Sequence, residues 1–252
     1  MRLTRLREDW ERLGESDAYW AVLSDPAKRG GKWDVEAFYA SGEAEIDYVV
    51  SYAEAVRPTL AHGDALDFGC GPGRLTYALG KHFSRAVGVD ISAPMIALAQ
   101  QRQGATSNCE FICNDRDDLS VLPDASFDFI YSRIVLQHIP PNLARGYVAE
   151  FVRVLRPGGL ALFQIPDRLP GRASRALSHL LRSGNDDAKK VRMFGVPRSE
   201  VVHDVTAAGG RVVTVAADSS AGQGNPSWLY AVARDGDGAA SATEPLPLWQ
   251  TP

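Results

Sequence analysis

A glycine-rich segment between two apolar stretches constrains the fold of this chain more than any other feature. Residues 67–73 read DFGCGPG; they follow the apolar pair Ala65 and Leu66 and precede the helical pattern of residues 75–83. Glycine permits a tight strand-to-helix turn and lets a ligand approach the backbone closely. The segment therefore predicts the first strand, loop and helix of an open α/β sheet that binds a nucleotide at this loop.

The position of Asp90 supports this interpretation. Asp90 ends a second apolar run, residues 86–89, and lies 17 positions after Gly73, close to the roughly 20-residue offset of an acid that binds a ribose hydroxyl. In the alternative interpretation, the glycines only allow a tight turn and Asp90 only caps the helix predicted after Ser92.

The region from about residue 64 to 166 alternates short apolar runs with amphipathic stretches, the pattern of a parallel sheet built from βαβ units. Later strands are predicted at residues 110–113, 127–131, 160–165, 211–216 and 228–233. Helices are predicted after Ser92, from Asn142 to the glycine pair 158–159, and from Pro197 to the glycine pair 209–210. The predicted fold class is α/β.

The composition limits the partners. The 252 residues carry 27 basic and 31 acidic side chains, a formal charge of −4, which gives no general attraction to nucleic acid or to a membrane surface. The first ten residues hold no apolar run of signal-peptide length, and no stretch reaches membrane length. The three cysteines form no metal-type cluster, and Cys109 and Cys113 are predicted to pack in the core. These features predict a cytoplasmic chain without a metal site.

The details of the glycine loop distinguish between nucleotides. A dinucleotide loop needs a small third fingerprint residue beneath the pyrophosphate, and this chain has Arg74 or Thr76 there, depending on which glycine starts the count. A carboxylate at Asp67 would repel a pyrophosphate but suits a cationic ligand. S-adenosylmethionine, with an ammonium, a sulfonium and no phosphate, is such a ligand.

Five motifs together make residues 65–166 resemble the core of the class I S-adenosylmethionine-dependent methyltransferases, in particular the small-molecule, type 11-like members. The motifs are DFGCGPG at 67–73, VDIS at 89–92, NDR at 114–116, SFD at 126–128 followed by Ser132, and LRPGG at 155–159. The resemblance implies a Rossmann-like, doubly wound, seven-stranded sheet that is mostly parallel with an antiparallel last strand, to which the aromatic-rich first fifth of the chain adds an N-terminal helical cap. It also implies that the cofactor is S-adenosyl-L-methionine and the product S-adenosyl-L-homocysteine.

The resemblance assigns nine residues to the cofactor. They are Asp67, Gly69, Gly71, Asp90, Ile91, Met95, Asp115, Arg116 and Ser132. By that resemblance, the two glycines lie along the methionine portion, Asp90 holds the ribose hydroxyls, Ile91 and Met95 flank the adenine, and Asp115 with the Arg116 amide binds the adenine edge. Two alternatives remain: Asp115 belongs to a solvated acidic run, and Met95 is a plain core residue.

The residues after the fourth predicted strand are the candidates for the acceptor side, because groups at strand exits face the site in open α/β sheets. His138 is either the general base or a residue that holds the loop. Arg133 binds an acidic group of the acceptor, or pairs with Asp128 or with a carboxylate of the cap. Gln137 is a further candidate, and Trp33 and Phe38 are predicted to form an acceptor wall whose rings face the sulfonium.

A small-molecule acceptor is predicted. Nucleic-acid amino-methylating relatives carry Asn or Asp before a Pro-Pro-aromatic motif, whereas here Pro140 and Pro141 lie between Ile139 and Asn142. The basic stretch between residues 167 and 192 binds an anionic substrate or a carrier protein, or is a solvated helix face.

The chain divides into three predicted parts. Residues 1–56 form a helical cap, because eight of the 22 aromatic residues lie in the first 52 positions. Its helices pack over the functional edge of the sheet, with residues 29–32 as a mobile connector, or they only support the core. Residues 57–234 form the methyltransferase domain, with an insert at about 167–196, and residues 235–252 a disordered tail. The oligomeric state is unknown. Two other functions stay open: a nicotinamide-dependent Rossmann oxidoreductase and a non-catalytic S-adenosylmethionine-binding protein.

Overall fold

The computed structural model describes residues 3–102, 108–167, 192–222, 224–236 and 249. The helices are α1 (Leu3–Val22), α2 (Val35–Val56), α3 (Arg74–Leu79), α4 (Ala93–Arg102), α5 (Pro141–Val154) and α6 (Arg198–Ala207), with 3-10 turns at Pro26–Lys28 and Leu136–His138. The strands are β1 (Asp64–Phe68), β2 (Arg85–Asp90), β3 (Cys109–Cys113), β4 (Phe127–Ser132), β5 (Leu155–Pro166), β6 (Arg211–Asp218) and β7 (Ser227–Ala233).

The strands of the described residues form one seven-stranded sheet in the order β3-β2-β1-β4-β5-β7-β6. The first five strands are parallel, and β7 pairs antiparallel with both β5 and β6. This confirms the predicted Rossmann-like sheet with an antiparallel last strand. The strand order reverses between β1 and β4, and the carboxyl ends of these strands are where an open α/β sheet binds its ligand.

Successive side chains of the central strands point to opposite faces of the sheet, and both faces are buried. One face packs against α5 and α6 around Phe127, Phe151 and Phe163. The other packs against α2 and α3 around Phe129 and Leu162. The sheet is therefore enclosed between two apolar layers, which explains why its strands read as continuous apolar runs.

Two predicted boundaries of α5 are wrong by a few residues. The helix begins at Pro141 with Pro140 as its N-cap, not with Asn142 as the cap, because proline at the first helical position has the φ that the helix needs. It ends at Val154, and β5 begins at the next residue, so the glycine pair lies inside the strand and not at the helix end.

The N-terminal part consists of two helices that use different surfaces. α2 packs on α3, so closely that a Cβ on Gly42 would lie 2.7 Å from the Arg74 Cγ. α1 contacts α4 and crosses the carboxyl edge of the sheet. The connector predicted as mobile is held to α1, because the amides of Gly30 and Gly31 donate to the Asp17 carboxylate at 2.6 and 3.1 Å.

The ends and inserts are described only in part. Most of the basic stretch lies outside the described residues, and so does most of the tail. Of residues 235–252, Asp235 pairs with Arg57 and Arg211, and the Trp249 indole donates to Asp218 at 3.1 Å. The described residues include no helix long and apolar enough to cross a membrane.

Candidate active site

A cavity of about 520 Å³ lies at the carboxyl ends of β1, β2 and β4, beneath α1. Eight of the residues predicted from the sequence line it: Gly69, Gly71, Asp90, Ile91, Met95, Arg133, Gln137 and His138. Its volume falls in the range that small-molecule sites occupy. The strand exits thus bring together residues that are up to 69 positions apart in the sequence.

The glycine loop forms one side of the cavity. Gly69 and Gly71 have φ values of +80° and +52°, a region that side chains rarely occupy. A Cβ at Gly69 would overlap the Val135 side chain on the facing wall, and one at Gly71 would lie 3.0 Å from Val22 of α1. Glycine is required here because the loop backbone forms a narrow cradle against its neighbours, which fits a ligand that lies along the main chain.

Asp90 holds this loop and also faces the cavity. One carboxylate oxygen accepts a hydrogen bond from the Gly71 amide and the other from the Ser92 amide, both at 2.8 Å. Burial raises the pKa of Asp90 above its ordinary value, although these amides oppose that shift. The N-cap of α4 is Ser92, whose hydroxyl accepts from the Met95 amide, so the alternative that Asp90 only caps this helix is wrong. Asp90 instead stabilises the glycine loop and the turn before α4, and it also lies in the cavity lining.

The side of the cavity next to β2 and β3 is lined by Ile91, Met95 and Asn114, with α1 above them. Met95 is buried and Ser92 donates to the Trp10 carbonyl at 3.3 Å, so α1 is attached directly to this side. Asn114 is fixed within its own turn, where its side-chain amide donates to the Asp118 carbonyl at 2.8 Å.

Four residues assigned to the cofactor lie outside the cavity lining. Asp67 is buried and accepts from the Thr76 hydroxyl at 2.7 Å, and burial raises its pKa to about 7. The expectation that Asp67 faces a cationic ligand is not supported, because its carboxylate points into the α3 side of the loop. Ser132 is also buried and donates to the Phe68 carbonyl at 3.0 Å.

Asp115 and Arg116 are the other two residues that were assigned to the cofactor but lie outside the cavity lining. Asp115 is exposed and pairs with Arg7 of α1 at 3.3 Å. Its carboxylate therefore joins α1, which forms the roof of the cavity, to the turn after β3. The Arg116 amide donates to the Asn114 side chain and its guanidinium to Ser120. The neighbouring Asn114 takes the position in the cavity that the sequence suggested for Asp115.

A buried carboxylate that the sequence did not indicate lies at the centre of the polar wall. Glu45 of α2 accepts from Arg74 at 2.7 Å, from Arg133 at 3.1 Å and from the Tyr131 hydroxyl at 3.0 Å. Burial acts to raise the pKa of Glu45, but the two guanidinium groups lower it below its ordinary value. Arg133 therefore pairs with a carboxylate of the cap, one of the two roles proposed for it, and not with Asp128, which pairs with Arg156.

Both ring nitrogens of His138 are engaged within the protein. Nδ1 lies 3.1 Å from the Arg192 carbonyl, an acceptor, and Nε2 lies 3.1 Å from the Gln137 side-chain nitrogen, a donor. Burial lowers the pKa of His138 to about 4, so the imidazole is neutral at pH 7. The Trp10 ring packs edge-on against it, with 5.4 Å between the centroids.

The predicted acceptor wall is wrong in its residues. Phe38 is fully buried among Tyr19, Tyr39 and Trp33, and the Trp33 indole donates to the Leu23 carbonyl, so neither ring lines the cavity. The cavity is lined instead by residues that composition alone does not indicate: Leu3, Leu6, Trp10, Ala21 to Ser24, Met193 and Ser220 to Gly222. Of the two cysteines predicted to be buried, Cys109 is and Cys113 is exposed.

A known family of proteins matches the part of the chain that carries most of the sheet. Residues 66–163 match the family profile described as "Methyltransferase domain". The trans-aconitate 2-methyltransferase of Deinococcus radiodurans is 36% identical over 117 residues, 45% of this chain and 42% of that protein. Phosphoethanolamine N-methyltransferase 1 of Arabidopsis thaliana is 34% identical over 134 residues, 52% of this chain and 26% of that protein. The matched segments thus span less than half the length of these relatives.

A solved structure shares the fold over nearly the whole chain. Magnesium protoporphyrin IX methyltransferase from Synechocystis, solved with S-adenosylhomocysteine bound, superposes with a TM-score of 0.63. The superposition covers 92% of this chain and 99% of that one at 17% sequence identity. The likeness at this identity is one of fold.

Proposed function

We propose that the chain is a class I S-adenosylmethionine-dependent methyltransferase, since residues 66–163 match the "Methyltransferase domain" profile, and that it transfers a methyl group from this cofactor to an oxygen, nitrogen or carbon atom of a small metabolite. The observation that carries the proposal is the glycine cradle of Gly69 and Gly71, which Asp90 holds at the edge of the cavity. A cradle of backbone, with a carboxylate beside it, suits a nucleoside that carries an amino acid better than it suits a pyrophosphate.

The residues of the cavity fit this cofactor. In the proposal, the backbone of Gly69 and Gly71 lies along the methionine portion, Asp90 accepts from the ribose hydroxyls, and Ile91 and Met95 pack against the adenine. Asn114 takes the place beside the adenine edge. The cofactor supplies an electrophilic methyl group on a sulfonium when it is bound.

The protein's part in such a reaction is to align the acceptor atom with that methyl group, since methyl transfer is an in-line displacement. In the proposal, this alignment comes from the wall opposite the glycine loop, formed by Val135, Gln137 and His138. His138 is assigned a positioning role and not that of the base, because its Nε2 lone pair is taken up by Gln137 and its pKa is far below neutrality.

The acceptor is proposed to be a small molecule because α1 covers the cavity. Leu3, Leu6 and Trp10 lie over one end and Ala21 to Ser24 over the other, so an acceptor has to fit inside the cavity with the cofactor. In this proposal residues 1–56 form the cap, residues 57–234 the methyltransferase domain, and the cap determines which acceptors enter.

Isothermal titration with S-adenosylhomocysteine and with nicotinamide dinucleotides tests the cofactor. We expect saturable binding of S-adenosylhomocysteine and none of the dinucleotides; the reverse would establish an oxidoreductase. The protein is then incubated with methyl-labelled cofactor and a metabolite extract, and the labelled product is identified by mass spectrometry. Cofactor binding without transfer to any compound would favour a binding protein.

A further inference from the structure

A fully buried glutamine lies behind the wall of the cavity that faces the glycine loop. Gln164 is on β5, on the face that also carries the apolar side chains Leu160 and Leu162, and its exposed fraction is 0%. Burying an amide is unfavourable unless its polar atoms are hydrogen-bonded. The partners of Gln164 therefore indicate why this position is polar.

Gln164 has three partners, and two of them belong to the cavity wall. Its oxygen accepts from the Ile134 amide at 3.1 Å. Its nitrogen donates to the Gln137 side-chain oxygen at 3.3 Å and to the Ser227 hydroxyl. The side chain thus joins the exit of β4, the 3-10 turn after it and β7.

The contact with Ile134 supports an unusual backbone. Ile134 has a φ of +62°, a region that β-branched residues almost never occupy. This conformation places the next residue, Val135, against Gly69 of the loop. The hydrogen bond from the Ile134 amide to Gln164 holds the strained residue in place, and strained residues of this kind concentrate at binding and catalytic sites.

The same hydrogen bond sets the direction of a longer chain of hydrogen bonds. The Ile134 amide can only donate, so the oxygen of Gln164 faces it and the nitrogen of Gln164 faces the Gln137 oxygen. The nitrogen of Gln137 then faces His138 Nε2, which must accept. At the other end, the Arg192 carbonyl can only accept, so His138 Nδ1 must donate. Both fixed ends require the same arrangement, with the imidazole proton on Nδ1.

We propose that Gln164 is a positioning residue of this site: through Gln137 it holds His138 in the Nδ1–H form, and through Ile134 it holds the wall against the glycine loop. That this wall meets the acceptor rests on the proposed function. The orientation of the hydrogen-bond chain does not, because it follows from contacts within the protein.

The test is nitrogen-15 NMR of the histidine rings in the full-length chain, with the His138 signals identified by their loss in His138→Gln. The protein as it is should give a protonated-type signal for Nδ1 and an unprotonated-type signal for Nε2. In Gln164→Met, a variant of similar volume that removes both hydrogen-bonding functions, Gln137 is able to turn its oxygen towards His138 Nε2. Only the Arg192 carbonyl then favours the Nδ1–H form, and we expect the two signals to move towards each other as the tautomers mix.

Two further variants separate positioning from general destabilisation. Leu162→Ala alters the same face of β5 two residues earlier and should leave the His138 signals unchanged. Gln164→Glu should restore the native signals in the acidic range above the His138 pKa of about 4, where the ring is neutral and the protonated acid has both a donor and an acceptor, and lose them as the acid ionises. If Gln164→Met does not fold, Gln137→Met interrupts the chain outside the sheet and should give the same mixing.

Native His138 signals in folded Gln164→Met and Gln137→Met would overturn the proposal, and so would equal mixing in Leu162→Ala. The NMR measurement uses neither cofactor nor acceptor. A protein that failed to bind S-adenosylhomocysteine but showed the predicted tautomer change would refute the proposed function and leave the role of Gln164 in place.

Discussion

The two sides of the cavity differ in whether backbone or side chains form their surface. The side at the end of β1 is formed by the backbone of the glycine loop, which Asp90 of β2 holds within a short stretch of sequence. The opposite side and the roof are made of side chains from α1, the exit of β4, the turn before α6 and the β6–β7 loop. Backbone offers the same groups whatever the side chains are, which suits the proposed cofactor, whereas side chains from four distant segments can vary the shape offered to the proposed acceptor.

Glu45 connects these two sides. It forms ion pairs with Arg74, which follows the glycine loop, and with Arg133, which follows β4. One carboxylate thus joins a guanidinium group from each side. The two sides are therefore distinct in construction but are held together through α2.

Removing this carboxylate is the largest expected effect. Glu45→Ala leaves two buried guanidinium groups without their shared partner, and we expect the free energy of unfolding to fall by about 3–5 kcal/mol. Urea denaturation measures this. The matched control is Glu43→Ala on the same helix, because Glu43 pairs with Lys81 at the surface and should contribute at most about 0.5 kcal/mol. Equal losses in the two variants would mean that the cluster does not join the two sides.

Asp90 tests the backbone side of the comparison. Asp90→Ala removes the acceptor of the Gly71 amide and the proposed ribose contact, so S-adenosylhomocysteine should bind about 1–3 kcal/mol more weakly in isothermal titration. Asp115→Ala is the control, because the Asp115 carboxylate is exposed and faces Arg7 outside the cavity; its effect should stay within about 0.5 kcal/mol. Unchanged affinity in Asp90→Ala would remove the ribose assignment, and a large loss in Asp115→Ala would restore the adenine contact.

His138 tests the side-chain wall through pH. Its pKa is about 4 in the folded chain against an ordinary value of 6.5, so between these values the unfolded chain takes up a proton that the folded chain does not. Stability from this group therefore falls as the pH falls. Asp67, with a pKa raised to about 7, has the opposite sign, so the difference between two proteins is the useful quantity.

Between pH 6.5 and 4 the native protein should lose about 1–2 kcal/mol more stability than His138→Gln, in urea titrations at each pH. Parallel curves for the two proteins would show that His138 takes up its proton in the folded chain as easily as in the unfolded one. The proposal that the wall contains a neutral His138 ring would then be wrong.

The comparison also explains what the sequence could and could not predict. Gly69, Gly71 and Asp90 were predictable because their roles depend on backbone geometry within about 20 positions, which leaves a spacing in the sequence. Glu45 was not, because its partners lie 29 and 88 positions away and nothing near it in the chain differs from a surface helix. Trp33 and Phe38 were predicted from aromatic content, which indicates burial but not against which surface.

The roof of the cavity has a consequence for how the chain folds. α1 precedes every strand of the sheet in the sequence, yet its first half is attached to Ser92 and Asp115, 82 and 108 positions later. Contacts of such long sequence separation form late, because a large loop must close before they contribute. Tyr19, near the other end of α1, packs on Phe38 and Tyr39 of α2, so this end has a partner close by in the sequence. The first half of α1 has no surface to pack on until the sheet and α4 have formed. The half of α1 that covers the cavity therefore docks at the last stage of assembly.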